Sequence, residues 1–181
     1  IQYNAQGTVG DITPFLDEYR DQSAISRNSL QYHDSLAFGR GSEEILDLFP
    51  AGKNAPLLIF IHGGYWRMLS KNESSFMAKN FVANGVAVAA VNYTLCPEAT
   101  IDQIVAEMRR SVVWLYKNCQ KFDCDPDHLY ISGSSAGGHL ASMMLCGGWH
   151  QSHGLPQDVL KGGMLLSGLY DLAPLALSFP N

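Results

Sequence analysis

Two hydrophobic patterns alternate along the chain from about residue 57 onward. One is a short run of consecutive apolar residues, which is typical of a strand buried on both faces of a sheet. The other places apolar residues three and four positions apart, which is typical of a helix that packs by one face. The pattern predicts strands at 57–61, 86–93, 128–132 and 162–168. It predicts helices at 74–84, 101–119 and 136–147.

The earlier part of the chain is more polar and predicts a hairpin. Two strands are expected near Leu30–Ala37 and Glu44–Phe49, joined by a glycine-bearing turn, with a short helical segment before them around Ile12–Tyr19. Strands that then alternate with helices predict a mostly parallel sheet with helices on both faces and right-handed crossovers. The fold class is therefore α/β, and 181 residues fit a single domain over 1–181.

Two helix ends carry specific signals. Thr100 and Gln103 form a T-x-x-Q capping box, which predicts that a helix begins directly after Thr100. Gly85 follows the helix predicted at 74–84, and glycine can adopt the left-handed conformation that ends a helix.

The negative net charge of the chain argues against some classes of binding partner. A net charge of −5 and an acidic pI near 5.6 argue against nucleic acid and against an anionic membrane surface. No apolar stretch reaches the length of a membrane span. We therefore expect a small-molecule partner, with no nucleic acid and no membrane.

The cysteines indicate a reducing compartment. Cys96, Cys119, Cys124 and Cys146 form no C-x-x-C motif, and two of them lie on apolar helix patterns. Reduced, partly buried thiols in a cytoplasmic protein are the favoured interpretation. A bridge between Cys119 and Cys124, which are close in sequence, is the alternative.

A G-x-S-x-G motif stands between a predicted strand and a predicted helix. It reads Gly133-Ser134-Ser135-Ala136-Gly137. A sharp strand-to-helix turn holds the serine hydroxyl clear of the backbone and leaves a free N–H just after it, while the glycines relieve crowding. Ser135 is therefore the candidate nucleophile, and the N–H of Ala136 is a candidate oxyanion donor. The alternative is a small-residue turn with no chemistry.

A second motif, His62-Gly63-Gly64-Tyr65-Trp66, follows the strand predicted at 57–61. Adjacent glycines allow backbone N–H groups to face a site with no side chain in the way, as an oxyanion hole requires. Gly63 and Gly64 are therefore candidate donors, and a plain glycine turn is the alternative. His62 precedes the glycines and is expected to brace the loop by hydrogen bonding.

Three segments together resemble the arylformamidases (kynurenine formamidases) of the α/β-hydrolase superfamily. They read HGGYW through AVNY, then GSSAGGHLASMML, then SGLYDLAP, and the resemblance covers about residues 44–181. A broader similarity is to the hormone-sensitive-lipase-like esterases, which also couple an HGG loop to a G-x-S-A-G turn. One position departs from both groups. Ser134 stands where arylformamidases often have histidine and the lipase-like group has aspartate, so a contact beside the nucleophile differs.

The resemblance implies hydrolysis of the N-formyl amide of N-formylkynurenine to formate and kynurenine through an acyl-enzyme on Ser135. Gly63, Gly64 and Ala136 would supply the oxyanion hole. Tyr65 and Trp66 flank the site and are candidate substrate-binding residues that could stack on an aryl ring, with loop packing as the equal alternative. No metal and no organic cofactor is implied.

The acid and the histidine of a catalytic triad are not evident in this sequence. In the family they follow the nucleophile, in the order acid then histidine, after the seventh and eighth strands. Here no histidine follows His153. His139 is expected on the flank of the helix after the nucleophile, and His150 with His153 forms an H-x-x-H in a polar loop without a third metal ligand. Asp171 is interpreted as structural, with a non-standard triad as the alternative.

We therefore expect these 181 residues to be the N-terminal portion of a hydrolase domain, through about its sixth strand. The C-terminal strands and helices would lie in a missing segment or in a companion chain. A sheet that stops at its sixth strand would leave the edge of that strand exposed. Two other functions stay open, a carboxylesterase on small acyl or aryl esters and a ligand-binding protein on a hydrolase fold.

Overall fold

One mixed sheet organises the part of the chain that the computed structural model describes, residues 5–177. The strands are β1 (His33–Ala37), β2 (Ile45–Phe49), β3 (Ala55–Ile61), β4 (Ala87–Val91), β5 (Cys124–Ser134) and β6 (Leu160–Leu166). The α-helices are α1 (Thr13–Ser29), α2 (Ala78–Ala83), α3 (Ile101–Asn118), α4 (Ala136–Leu145), α5 (Trp149–Ser152) and α6 (Leu172–Ala176). Short 3₁₀ turns lie at Ala5–Thr8, Lys71–Glu73 and Cys119–Phe122.

The strand order is β1-β2-β4-β3-β5-β6, which confirms the predicted α/β class. β1 and β2 form the expected antiparallel hairpin, and β2 pairs antiparallel with β4. From β4 onward the strands are parallel. The sheet is therefore mostly parallel, with β3 at its centre between β4 and β5.

The central strands are continuously apolar because helices cover both of their faces. Leu57, Ile59 and Ile61 point to a core formed with α3 and α4. On the opposite face, Val88 of β4 packs with Phe49 and with the start of α2. Helices on both faces are what the alternating pattern predicts.

The helix ends around α3 and α2 match their sequence signals. Thr100 accepts from the Gln103 N–H and the Gln103 side chain accepts from the Thr100 N–H, which completes the predicted capping box. Gly85 follows α2 with φ +77°, the left-handed conformation expected there.

Two predicted helices differ in length from the structure. The segment at 74–84 forms only α2. The hydroxyls of Ser74 and Ser75 donate to the backbone carbonyls of Ser70 and Lys71, at the start of the preceding 3₁₀ turn, and such bonds compete with a helix. In the other direction, α1 is 17 residues long rather than a short piece around Ile12–Tyr19. Its second half has few apolar residues and is held by buried polar contacts, which a hydrophobic pattern does not register.

His150 does not lie in a polar loop, as the sequence suggested, but in the short helix α5. Its ring packs on Trp149 with the ring centroids 4.2 Å apart, and both side chains are buried. Within residues 5–177, no cluster of three or more His, Cys, Asp or Glu side chains could hold a metal ion.

The cysteines of the described region are all free thiols. Cys119 and Cys124 form no disulfide. The Cys119 thiol instead donates a hydrogen bond to the Cys124 carbonyl oxygen, 3.8 Å away. Reduced thiols were the favoured interpretation. Among the described helices, none has the length and apolar character needed to cross a membrane.

β6 forms one edge of the described sheet. Met164 and Leu166, two of its large apolar residues, are 51% and 42% exposed. The expectation that further strands cover this edge stays a prediction.

Candidate active site

The two chemical motifs come together because they follow neighbouring parallel strands. Ile61, the last residue of β3, pairs with Gly133 near the end of β5. The glycine loop therefore leaves the sheet beside the strand-to-helix turn that carries Ser135. Ligands of open parallel sheets bind at this carboxyl edge.

Ser135 sits on a strained turn. Its backbone has φ 56° and ψ −117°, and its N–H donates to the Leu166 carbonyl of β6 at 2.7 Å. The flanking glycines make the turn possible, since a Cβ at Gly133 would collide with the Gly137 carbonyl and a Cβ at Gly137 would collide with the Ile61 carbonyl. Strain of this kind persists only where the surroundings enforce it, and it occurs often at functional sites.

The three predicted oxyanion residues surround the serine. A Cβ on Gly63 would lie 2.7 Å from the Ser134 carbonyl oxygen and 3.3 Å from the Ser135 Cβ, so only a glycine allows this loop to lie against the turn. Gly64 takes φ +99°, a conformation that favours glycine. Ala136 opens α4, where a backbone N–H has no acceptor within the helix. Their role as donors stays a prediction.

His62 braces the glycine loop, as expected. Its Nδ1 donates to the Gly63 carbonyl at 2.9 Å, and its ring stacks on Tyr93 with centroids 4.1 Å apart. The Tyr93 hydroxyl lies 3.1 Å from the His62 carbonyl oxygen and 3.2 Å from the Gly63 carbonyl oxygen. Burial lowers the pKa of His62 to about 4, so the imidazole is neutral at physiological pH.

A cavity of about 210 Å³ opens beside Ser135. Its wall is mainly apolar and aromatic, with a few polar groups near the serine. The lining includes Ile12, Leu16, Tyr19, Phe60, His62, Gly63, Gly64, Tyr65, Met68, Leu69, Glu73, Ser74, Phe76, Ser134 and Ser135. Ligand pockets typically combine an apolar and aromatic wall with a few polar groups.

Only one of the two predicted substrate-binding residues lines the cavity. Tyr65 lines the cavity. Trp66 does not line it. Its side chain is 3% exposed and lies in the core, where its ring and the His139 ring form a T-shaped pair with centroids 5.3 Å apart. The expectation of a substrate contact for Trp66 is therefore corrected in favour of loop packing, because the turn after Gly64 directs its side chain inward.

One wall of the cavity was missed by the sequence reasoning. Ile12, Leu16 and Tyr19 belong to α1 or precede it, and all three face the cavity. Tyr19 stacks on Phe76 with ring centroids 4.9 Å apart, which joins α1 to the rest of the wall. The signal was present, since positions 12, 16 and 19 form an apolar stripe at helical spacing.

No histidine of the described residues is hydrogen-bonded to the Ser135 hydroxyl. His139 lies on α4 and is buried beside Trp66, consistent with a place on the helix flank. Asp171 caps α6 by accepting from the Ala173 N–H at 3.3 Å, which agrees with a structural role. The described residues thus place no acid–histidine pair at the candidate nucleophile.

The strained turn that carries the serine follows β5, and the glycine loop follows the neighbouring strand β3. This arrangement at the carboxyl edge of a mostly parallel sheet defines the α/β-hydrolase fold. A crystal structure of a candidate thioesterase from Silicibacter sp. tm1040 has this fold. It matches with a TM-score of 0.81 and 31% identity over 96% of this chain and 64% of that chain.

Within this class, the chain belongs to the BD-FAE family, whose model matches residues 46–160. It is 41% identical over 150 residues to a kynurenine formamidase of Salmo salar, covering 81% of this chain and 49% of that protein. It is 37% identical over 159 residues to a kynurenine formamidase of Danio rerio, covering 86% of this chain and 52% of that protein. The chain thus spans about half the length of these relatives.

Proposed function

We propose that this protein is a serine hydrolase that cleaves the N-formyl amide of N-formylkynurenine, or of a similar aryl formamide, to formate and the amine. The observation that carries the proposal is the strained turn that holds Ser135 against the Gly63 backbone at the ends of two parallel strands. The similarity to two kynurenine formamidases supports a formamide as the substrate.

The reaction follows from the groups around the serine. Ser135 Oγ attacks the formyl carbon while a histidine takes its proton, and the oxyanion accepts from the N–H groups of Gly63, Gly64 and Ala136. One such donor lowers the barrier by ~3 kcal/mol. The C–N bond then breaks as the histidine protonates the aniline nitrogen, and water hydrolyses the formyl ester to formate. No cofactor takes part in these steps.

The aryl ring of the substrate would lie against the aromatic wall of the cavity. Tyr65, Tyr19 and Phe76 offer ring faces or edges there. Aromatic pairs of this kind add about 0.5–1.5 kcal/mol beyond the burial of their area. The small formyl group would face Ser135, where the glycine loop leaves little room.

The proposal requires a histidine and an acid from outside the described residues, in a further segment of the protein or in a companion chain. Two observations support this. Ser135 has no histidine bonded to it in residues 5–177, and the matched formamidases are about twice as long as the part this chain covers. We propose a cytoplasmic location, which the free thiols of the described cysteines support.

The test is the hydrolysis of N-formylkynurenine by the full chain, followed by formate release. Ser135→Ala should lower kcat/KM by at least about a thousandfold, because the nucleophile is lost. The exposed loop variant Ser42→Ala serves as the control and should behave as the parent. Equal activity of the parent and Ser135→Ala on the formamide would rule the proposal out.

A carboxylesterase is the second candidate, since ester hydrolysis uses the same nucleophile and oxyanion donors. The solved structure at 31% identity is described as a thioesterase, which supports ester hydrolysis as the alternative function. Comparing kcat/KM for nitrophenyl esters and for N-formylkynurenine separates the two. A non-catalytic binding protein is the third reading, and a fluorophosphonate adduct on Ser135 would exclude it.

A further inference from the structure

Glu73 is the only formally charged side chain among the described residues that line the cavity beside Ser135. The aromatic and aliphatic wall carries no lysine or arginine. Glu73 itself is half-buried at the end of the 3₁₀ turn Lys71–Glu73. A lone carboxylate in a mainly apolar cavity is costly to keep there without a partner.

No cation of residues 5–177 neutralises this carboxylate. One of its oxygens accepts from the Ser70 hydroxyl at 2.8 Å, and no lysine, arginine or histidine in that range forms an ion pair with it. His62, the other polar ring near the serine, stays neutral because burial holds its pKa at about 4. The formal charge of the described lining is therefore −1.

The turn that carries Glu73 is held firmly. Lys71 donates to Asp47 of β2 at 2.7 Å, and its backbone N–H donates to Asn92 at 3.1 Å. Arg27 of α1 donates to the carbonyls of Lys71 and Asn72 at 2.9 and 2.7 Å. The backbone of the turn is thus fixed, and the Ser70 hydroxyl orients the carboxylate by donating to it, which lowers the entropic cost of binding a charged group.

We propose that Glu73 selects substrates that carry a cationic nitrogen on the leaving-group side of the scissile bond. The inference rests on the proposed function, because a formyl group has no side chain and any charge must lie on the amine that leaves. In N-formylkynurenine the ring of the leaving aniline carries a side chain that ends in an α-ammonium and an α-carboxylate, and the ammonium is the group that Glu73 would bind. The ring packs on the aromatic wall while the ammonium donates to Glu73.

A purely local role for Glu73 makes a different prediction. Ser70 caps the 3₁₀ turn by accepting from the Asn72 N–H at 3.1 Å, and a Glu73 that only supports this cap would act without regard to substrate charge. Glu73→Gln keeps the size and the hydrogen-bonding capacity of the side chain. The decisive measurement is therefore a ratio between a substrate that carries a cationic nitrogen and a counterpart that lacks it.

The test uses the full chain and two matched substrate pairs. The first pair is N-formylkynurenine and its analogue without the α-amino group. The second is acetylcholine and 3,3-dimethylbutyl acetate, which share a shape and differ in charge. In Glu73→Gln, the ratio of kcat/KM for the member with the cationic nitrogen to the member without it should fall about tenfold for the formamides and about threefold for the esters.

Two further variants make the result specific. Glu73→Asp retains the charge and should recover part of the preference. Glu98→Gln removes an exposed carboxylate outside the cavity and should leave both ratios as in the parent. An unchanged ratio in Glu73→Gln for every pair that is turned over would overturn the inference.

The outcomes for Glu73 and for the proposed function are separable. If the formamides are not cleaved but the ester ratio falls in Glu73→Gln, the formamidase proposal fails and the role of Glu73 stands. If the formamides are cleaved and neither ratio changes, the role of Glu73 fails alone. If neither pair is turned over, calorimetry with kynurenine decides, because equal affinity of the parent and Glu73→Gln would overturn the inference.

Discussion

At the scale of single residues, the site depends on close backbone contacts around one strained serine. A non-glycine residue at positive φ costs about 1–3 kcal/mol and is kept only by its neighbours. Here Gly133 and Gly137 interlock within the turn, and Gly63 lets the facing loop approach Ser135. Each of these glycines is required for the space it leaves empty.

Gly137→Ala tests this dependence on space. The added Cβ would meet the backbone carbonyls of Ile61 and His62, so α4 would have to move away from β3. We expect the free energy of unfolding to fall by about 1–3 kcal/mol, measured by urea denaturation. Gly147→Ala, whose Cβ has its nearest neighbour at 3.7 Å, is the matched control. A Gly137→Ala protein as stable as the control would contradict the packing argument.

His62 predicts a dependence of stability on pH. Burial lowers its pKa in the folded protein from 6.5 to about 4, so between these values the unfolded chain binds a proton that the folded chain does not. Its contribution to stability is therefore full above about pH 6.5 and is lost as pH falls toward 4, by about 1.4 kcal/mol per pH unit.

The measurement is the free energy of unfolding at several pH values between 7 and 4 for the parent and for His62→Gln. The variant should be less stable at pH 7 and should lose less stability on acidification. Parallel pH profiles for the two proteins would show that His62 is not the group responsible.

At the scale of elements, an ion-pair network joins the C-terminal end of α1 to the sheet. Arg27 pairs with Asp47 at 2.6 Å, and Lys71 pairs with the other oxygen of the same carboxylate at 2.7 Å. Asp47 is fully buried on β2. This network fixes together α1, which walls the cavity, and the turn that carries Glu73.

Asp47→Asn should destabilise the protein by about 3–5 kcal/mol, because it leaves the half-buried Arg27 without its counter-charge and the buried Lys71 with only the exposed Asp34, 3.2 Å away. Amide hydrogen exchange should show faster exchange in α1 than in β3. The exposed pair of Arg20 with Asp17 provides the control, since Arg20→Gln is expected to change stability by less than about 1 kcal/mol. Equal effects of the two substitutions would argue against a structural role for the buried network.

The same element shows where sequence reasoning falls short. The capping box at Thr100 and the helix end at Gly85 were predictable because each signal lies within a few consecutive residues. The length of α1 was not, since Ser23 and Ser26 are buried through contacts with residues about fifty positions away. Local propensity does not contain such contacts.

At the scale of the whole molecule, strand order decides which residues meet. β3 lies between β4 and β5, so a loop at residues 62–66 faces a turn at 133–137. β6 is an edge strand of the described sheet, and it is apolar and partly exposed. The proposed base and acid would have to reach Ser135 from beyond this framework.

The proposed base outside these residues yields a prediction for labelling of Ser135. A fluorophosphonate should react with Ser135 at least about a hundredfold faster in a protein that includes the proposed further segment than in the 181-residue chain alone, because a general base contributes about 10²–10⁴. Circular dichroism should first establish that both proteins are folded. Equal labelling rates would mean that the activating base lies within these residues.

The sequence by itself determined the fold class, the strands and the positions of two candidate catalytic motifs. Buried strands and G-x-S-x-G turns are recognisable because their residues are consecutive. Only the tertiary structure decided that Trp66 packs inward while Tyr65 faces the cavity, that α1 forms a wall, and that Glu73 is the single charge of the described lining. These features depend on side-chain direction and on contacts between distant segments, which a linear pattern does not encode.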